Sequence, residues 1–351
     1  MTYTNGKKVL ECSACEAVYT SSLTILRYLT GIEPENGCAI VDKNGTTLYT
    51  DMRYMEAAEK LLKDTDVTPV LYNQQEVLQR LASFESVGTS FNEMPHIEYV
   101  ALEKAGAKLQ NIDDKLAQVM TVKNDWELSN IEKACQIAEE AFLQLLPEIK
   151  EGMTETEVAA ILEFNMRKLG AEGTSFATIV AFGAHGAVPH HETGTTPLKF
   201  GDVVLIDFGC KVNGYCSDIT RTFLFGDDGK HEAFKKAYEA VLTAHELVKA
   251  NLRSGMTGIE ADAIAREYLK EKGYGDKFTH SLGHGIGINI HEFPSISPKG
   301  KNTLVDGMVF SDEPGVYFAG EFGIRIEDTV TLKDGKVKSF MSKTDRNLII
   351  L

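Results

Sequence analysis

Residues 203–223 read VVLIDFGCKVNGYCSDITRTF, two apolar, β-branched runs on either side of Asn213-Gly214. That dipeptide between two strand-like runs predicts a hairpin closed by a tight turn. With Asn213 and Gly214 as the loop, Val212 pairs with Tyr215, Gly209 with Asp218 and Asp207 with Thr220. Asp207 and Asp218 then share a face, a placement that a one-residue slip would destroy because side chains alternate along a strand. Asp207 also interrupts an otherwise apolar run. Carboxylates are rarely buried unless they are paired or bind a cation, so two of them on one wall of a core point to a metal. An exposed strand with polar punctuation is the alternative for this hairpin taken alone.

Outward from the hairpin, the chain repeats itself. Gly152-Met153-Thr154-x-x-Glu157 recurs 103 residues on as Gly255-Met256-Thr257-x-x-Glu260. Each copy follows an apolar helical segment and carries the T-x-x-E capping box that opens another helix. Gly201, the apolar run to Asp207, and Gly209 are echoed 106 residues on by Gly307, the run to Glu313, and Gly315. Asp218 has a counterpart in Glu327, on the return strand GIRIEDTV. Two related halves, each of helices followed by an acidic hairpin, are expected to face one another across a pseudo-twofold axis. Two copies make no solenoid.

Such a fold gathers Asp207, Asp218, Glu313 and Glu327 at one place. Four like charges raise each other's pKa and need cations to persist in a core; two divalent ions cancel them. The imidazole candidate is His284, in THSLGHGIGINIHEFP, where glycines 283, 285 and 287 let backbone pass close to the site. Oxygen donors with one imidazole suit manganese, cobalt or zinc. As a nucleotide loop, GHGIGI lacks the third glycine of G-x-G-x-x-G and no helix start follows. Two metals can hold a bridging hydroxide as nucleophile and polarise a carbonyl. A proton shuttle and donors for the tetrahedral oxyanion are then still needed. His190, in AFGAHGAVPHHET, and His291 are the candidate donors. Arg325, two residues before Glu327, would steady a ligand carboxylate from behind. His185 and His191 read as structural or solvent-exposed, and His280 is left open.

Before this region, residues 1–121 alternate strand-like and helix-like segments. A hairpin is expected around Asn44-Gly45, with helices over 54–62 and 74–84 and a strand over 67–71. No phosphate loop, H-E-x-x-H or G-x-S-x-G occurs there. The boundary is placed at 121/122, ahead of a long amphipathic helix running through Leu146. A chain of 351 residues accommodates two such domains. The net charge of -15 disfavours nucleic acid and anionic membrane surfaces. The opening residues lack a secretory apolar stretch and no run reaches transmembrane length, so a cytoplasmic protein is expected. The C-x-x-C of Cys12 and Cys15 has no companion ligand set, and the six cysteines are expected to be free thiols.

The set VVLIDFGCKVNGYCSDITRTF, HSLGHGIGINIHEFP, VFSDEPGVYF and GIRIEDTV resembles the pita-bread metallopeptidases, in the branch of Xaa-Pro aminopeptidases and Xaa-Pro dipeptidases (prolidases). RYLTGI at 27–32 and TDMRYMEAA at 50–58 resemble that branch's amino-terminal domain. The resemblance implies an α/β (α+β) chain: a smaller creatinase/prolidase-like domain over 1–121, serving pocket closure and dimerisation, then a pita-bread catalytic domain over 122–351. It implies that Asp207 binds one metal and His284 with Glu313 the other, while Asp218 and Glu327 bridge both. Glu313 would also handle the proton of the bridging water, His190 would lie near the scissile amide, and His291 would contact the substrate carbonyl. The implied cofactors are two divalent ions, manganese ahead of cobalt or zinc. The implied partners are proline-containing peptides and a second copy of the chain. Aminopeptidase is set ahead of dipeptidase because Ser295 stands where relatives often carry an Arg after HE-x-P; an inactive peptide-binding module is the remaining reading. Asp312 and His185 also depart from the pattern and are expected to alter pocket charge.

Overall fold

The computed structural model describes residues 5–351, which divide into two compact units, one up to Met120 and one from Thr121 to Leu351. In the first unit, six strands form one mixed sheet in the order Val67–Leu71, Gly45–Thr50, Cys38–Asp42, Ala17–Thr20, Val87–Thr89, Leu109–Asn111. The three central strands are antiparallel and the outer pairings parallel. Ala17, Tyr19, Ile40, Tyr49, Val77 and Leu81 are buried in its core. The early hairpin forms where expected, with Val41 facing Thr46. Asp42 pairs with Gly45, leaving Lys43 and Asn44 as the loop. The Asp42 carboxylate accepts the Asn44 N–H at 2.7 Å, a side-chain turn that braces the loop.

The second unit carries the internal repeat. Helix Asp125–Leu145 precedes Glu155–Lys168 in one half, and Glu232–Asn251 precedes Gly258–Glu271 in the other. The two capping boxes are superimposable in their bonding. Thr154 and Thr257 each accept the N–H three residues on at 3.2 Å, and Glu157 and Glu260 each take back the threonine N–H at 2.7 Å. Sheets follow each helix pair. Strand Asp202–Phe208 lies between Ile219–Phe225 and Ile179–Phe182, and Val309–Asp312 lies between Gly283–Gly285 and Asp328–Lys333. The halves join at an antiparallel bridge in which the Glu327 N–H donates to the Thr220 carbonyl at 3.1 Å.

The register of the opening hairpin is the expected one: Val212 faces Tyr215 and Asp207 faces Thr220. Asn213 and Gly214 take φ of 48° and 80°, the left-handed pair that a two-residue hairpin of this type requires. Both acidic hairpins change sheets midway. Asp218 falls between strands Tyr215–Cys216 and Ile219–Phe225, and Glu327 between Phe322–Arg325 and Asp328–Lys333, so GIRIEDTV is two strands rather than one. Each carboxylate therefore occupies a break, where its side chain is not committed to either sheet's packing.

Gly209 makes the first crossing possible. A Cβ there would lie 1.9 Å from the Ser217 carbonyl oxygen, so the two backbones meet with no space for a side chain. Gly209→Ala is expected to pry the strands apart and lower stability by about 1–3 kcal/mol, the usual range for overpacking. A urea midpoint unchanged from wild type would contradict it.

Candidate active site

A cavity of about 500 Å³ opens in the second unit. Asp207, Asp218, His284, Glu313, Glu327, His190, His291 and Arg325 all line it, together with His280 and Ser295. Distances show how closely the acidic residues gather. His284 Nε2 lies 3.5 Å from both Asp218 Oδ2 and Glu313 Oε1. Asp218, His284 and Glu327 each present a ligand atom within 4.8 Å of the others.

Asp207, Glu313 and Glu327 are each oriented by a hydrogen bond from a neighbouring side chain. Arg325 Nη2 donates to Asp207 Oδ2 at 2.7 Å, while Asp207 Oδ1 is buried with no hydrogen-bond partner. Arg325 also donates to Thr220 Oγ1 at 2.9 Å and to the Tyr317 hydroxyl at 2.8 Å. Thr220 in turn donates to Glu327 Oε2 at 2.6 Å. Ser311 accepts the His284 N–H and donates to Glu313 Oε1, both at 3.0 Å. His291 packs against His284 with ring centroids 4.1 Å apart. Its neighbour Glu292 is tied to the buried Lys123 ammonium at 3.1 Å, which fixes the loop from beneath.

The electrostatics ask for positive charge. Burial raises all four carboxylates, and for Asp218 and Glu327 repulsion from the other acids adds to it. Glu313 is pushed up to about 8 by burial. Burial moves the imidazoles the other way: His284 falls to about 4, His280 to about 3, and His291 is lowered. Neutral imidazole and crowded carboxylate are the forms that bind a divalent cation. The orphaned Asp207 oxygen and the oxygen-rich donor set fit such ions.

His280 is part of a relay on the cavity wall. Its Nδ1 lies 2.8 Å from the Ser281 carbonyl and its Nε2 lies 2.9 Å from the Tyr317 hydroxyl. Because that carbonyl can only accept, Nδ1 carries the proton and Nε2 receives the tyrosine hydroxyl. The sequence alone does not single out Tyr317, although it lies on a strand beginning two residues after Glu313, and it places Thr220 opposite Asp207 without showing its bond to Glu327.

Asp312 and His185 both lie off the cavity wall. Asp312 does not line the cavity, because strand alternation turns it away from Glu313 into the core, yet its charge still helps to raise the Glu313 carboxyl. There it lies 3.1 Å from His245 Nδ1, both groups fully buried, with Asp328 3.6 Å from the other ring nitrogen. Burial disfavours the imidazolium, but the two aspartates outweigh it and push His245 up to about 9. Nor does His185 line the cavity; it and His191 reach the buried Glu155 instead.

Comparison with known proteins places this arrangement. Residues 129–334, which contain every residue of the cavity wall, match the model of metallopeptidase family M24. The chain belongs to metallopeptidase family M24. It is thus a peptidase, a hydrolase whose second unit has the pita-bread fold, and membership implies divalent metal ions. Residues 7–119 match the creatinase/prolidase N-terminal domain. The chain is 37% identical over 346 residues to a Xaa-Pro dipeptidase of Pyrococcus furiosus, covering 97% of each. It is 33% identical to a putative Xaa-Pro aminopeptidase of Mycoplasma pneumoniae, covering 97% of this chain and 96% of that one. Among solved structures, an X-Pro aminopeptidase from Thermotoga maritima superposes with a TM-score of 0.91 at 34% identity, over 98% of this chain and 100% of that one. Among the described residues, no disulfide joins the six cysteines, and no helix is long and apolar enough to cross a membrane.

Proposed function

We propose that the protein hydrolyses the bond between an amino-terminal residue and a following proline, as an Xaa-Pro aminopeptidase, with two divalent ions held by Asp207, Asp218, His284, Glu313 and Glu327. The carrying observation is the convergence of those five side chains with His190 and His291 on one cavity wall. When bound, the ions supply Lewis acidity and activate water. The remaining steps belong to the chain. His291 and His190 present imidazole nitrogens to the scissile carbonyl and amide, Glu313 holds and returns the proton at its carboxylate, and Arg325 keeps Asp207 in place. Manganese is the first choice of ion, with cobalt and zinc as alternatives.

Proline as the second residue follows from its chemistry: the ring removes the amide N–H, which excludes the bond from peptidases that need that donor. The cavity offers Phe176, Ile179, Pro189 and Ile290 as apolar surface for such a ring. The aminopeptidase reading is favoured by the cations present. Among the described residues lining the cavity, the one guanidinium is Arg325, already engaged by Asp207, Tyr317 and Thr220. Ser295 hydrogen-bonds Ser297 at 2.8 Å. A dipeptide's free carboxylate would need a partner. The dipeptidase reading is supported by the names of relatives such as the Pyrococcus furiosus enzyme.

The deciding experiment offers manganese-loaded protein Ala-Pro, Ala-Pro-Ala and Ala-Ala-Ala, and measures free alanine. Alanine release from Ala-Pro-Ala, with little from Ala-Pro or Ala-Ala-Ala, is expected. Release from Ala-Pro alone converts the assignment to a dipeptidase, and no release from either proline peptide overturns the Xaa-Pro reading.

A further inference from the structure

Glu155 opens helix Glu155–Lys168 and is fully buried, yet lies outside the cavity. Its Oε1 accepts the Phe182 N–H at 3.0 Å and lies 2.7 Å from His185 Nδ1. Its Oε2 accepts the Gly194 N–H at 2.9 Å and lies 3.0 Å from His191 Nε2. Phe182 ends the strand that pairs with the Asp207 strand, and Gly194 follows the loop that carries His190. One carboxylate thus grips both ends of the 183–193 loop and two side chains within it.

Further contacts stiffen the loop. The rings of His185 and His191 pack with centroids 4.4 Å apart. The backbone at Gly186 is pressed against Gly323, where a Cβ would come within 1.8 Å of the Gly186 oxygen. A carboxylate offers about four lone-pair sites, and here four nitrogens occupy them. Two imidazoles and a carboxylate would otherwise suggest a third cation site. With every oxygen lone pair engaged, the trio is a clamp instead.

We infer that Glu155 is the positioning residue for His190, holding the loop so that this imidazole faces the cavity through the bonds to Phe182, His185, His191 and Gly194. The inference rests on the reading of His190 as the group beside the scissile amide. In Glu155→Gln the volume is kept, but an NH2 replaces one oxygen and faces N–H donors, so half of the clamp is lost. Turnover of Ala-Pro-Ala is expected to fall about tenfold to a hundredfold, the cost of a misplaced group near the chemistry. The loss should appear in kcat more than in KM, with metal content unchanged.

Because Glu155 acts through His190, the same change in a His190→Ala background is expected to have no further effect beyond about twofold. An equal loss in both backgrounds overturns the inference, since a merely structural role would add. Amide hydrogen exchange reads the clamp without turnover. Faster exchange across 183–193 in Glu155→Gln, with Asp202–Phe208 and Val309–Asp312 unchanged, is expected; unchanged exchange across the loop overturns the clamp. Wild-type protein that releases no alanine from either proline peptide sinks the Xaa-Pro reading, and the exchange result then decides the clamp alone.

Discussion

Asp207→Asn is expected to lower turnover of Ala-Pro-Ala by about a thousandfold, within the range seen when a preorganised electrostatic group is removed. The substitution exchanges one of four clustered negative charges for a neutral amide and leaves the shape of the strand alone. Cation binding should weaken, because the Asp207 oxygen that has no protein partner is the one available to an ion. Arg325 loses the charge of its 2.7 Å partner but can still donate to the amide oxygen, and it keeps Tyr317 and Thr220. Ile206 and Phe208 on either side remain buried, so the strand stays in register. Elemental analysis should show less than the wild-type metal content, and circular dichroism an unchanged fold. Turnover within tenfold of wild type would contradict the assignment of Asp207 to the reacting centre.

The second large effect is a pH-dependent loss of stability on chelation. The cluster carboxylates have raised pKa values in the folded chain, with burial the leading cause. A carboxyl raised in this way binds its proton more tightly folded than unfolded. Its stabilising contribution is therefore complete below the unfolded pKa, near 4, and is lost as pH rises through the folded value. For Glu313 that value is about 8, and Asp218 and Glu327 are raised well above the ordinary range. Chelated protein should then weaken steadily from pH 5 to pH 9, whereas bound cations cancel the charge and flatten the dependence. The gap in Tm between loaded and chelated protein should widen from a few degrees at pH 5 to roughly ten degrees at pH 8.5, given about 2–4 °C per kcal/mol for a unit of this size. A gap that stays constant with pH would remove the cluster as its source.

Much of the cavity wall was legible because strand chemistry is periodic. An Asn-Gly turn sets the register, the register sets the face, and the face brings Asp207 and Asp218 together. The repeat then placed Glu313 and Glu327 by analogy. Local signals did not say which way neighbouring side chains face once packed. Asp312 adjoins Glu313, yet the alternation that turns Glu313 to the cavity buries Asp312 against His245, so that it acts on Glu313 through its charge alone. Glu155 was hidden inside T-E-T-E, where the capping-box partner Glu157 drew attention and its neighbour carried the clamp.

By itself, then, the sequence determined what is encoded within a few residues or by repetition: the hairpin register, the capping boxes, the two-unit division and the acidic residues that line the cavity. Only the tertiary structure decided the contacts between side chains far apart in the chain. Arg325 meets Asp207, Glu155 meets His185 and His191, and His245 sits between Asp312 and Asp328. The spacing of Arg325 from Glu327 put it beside a carboxylate without saying which, and no spacing announces the other pairs, because long-range partners are chosen by how whole helices and sheets pack. A buried charge accepts whichever neighbour that packing brings within reach.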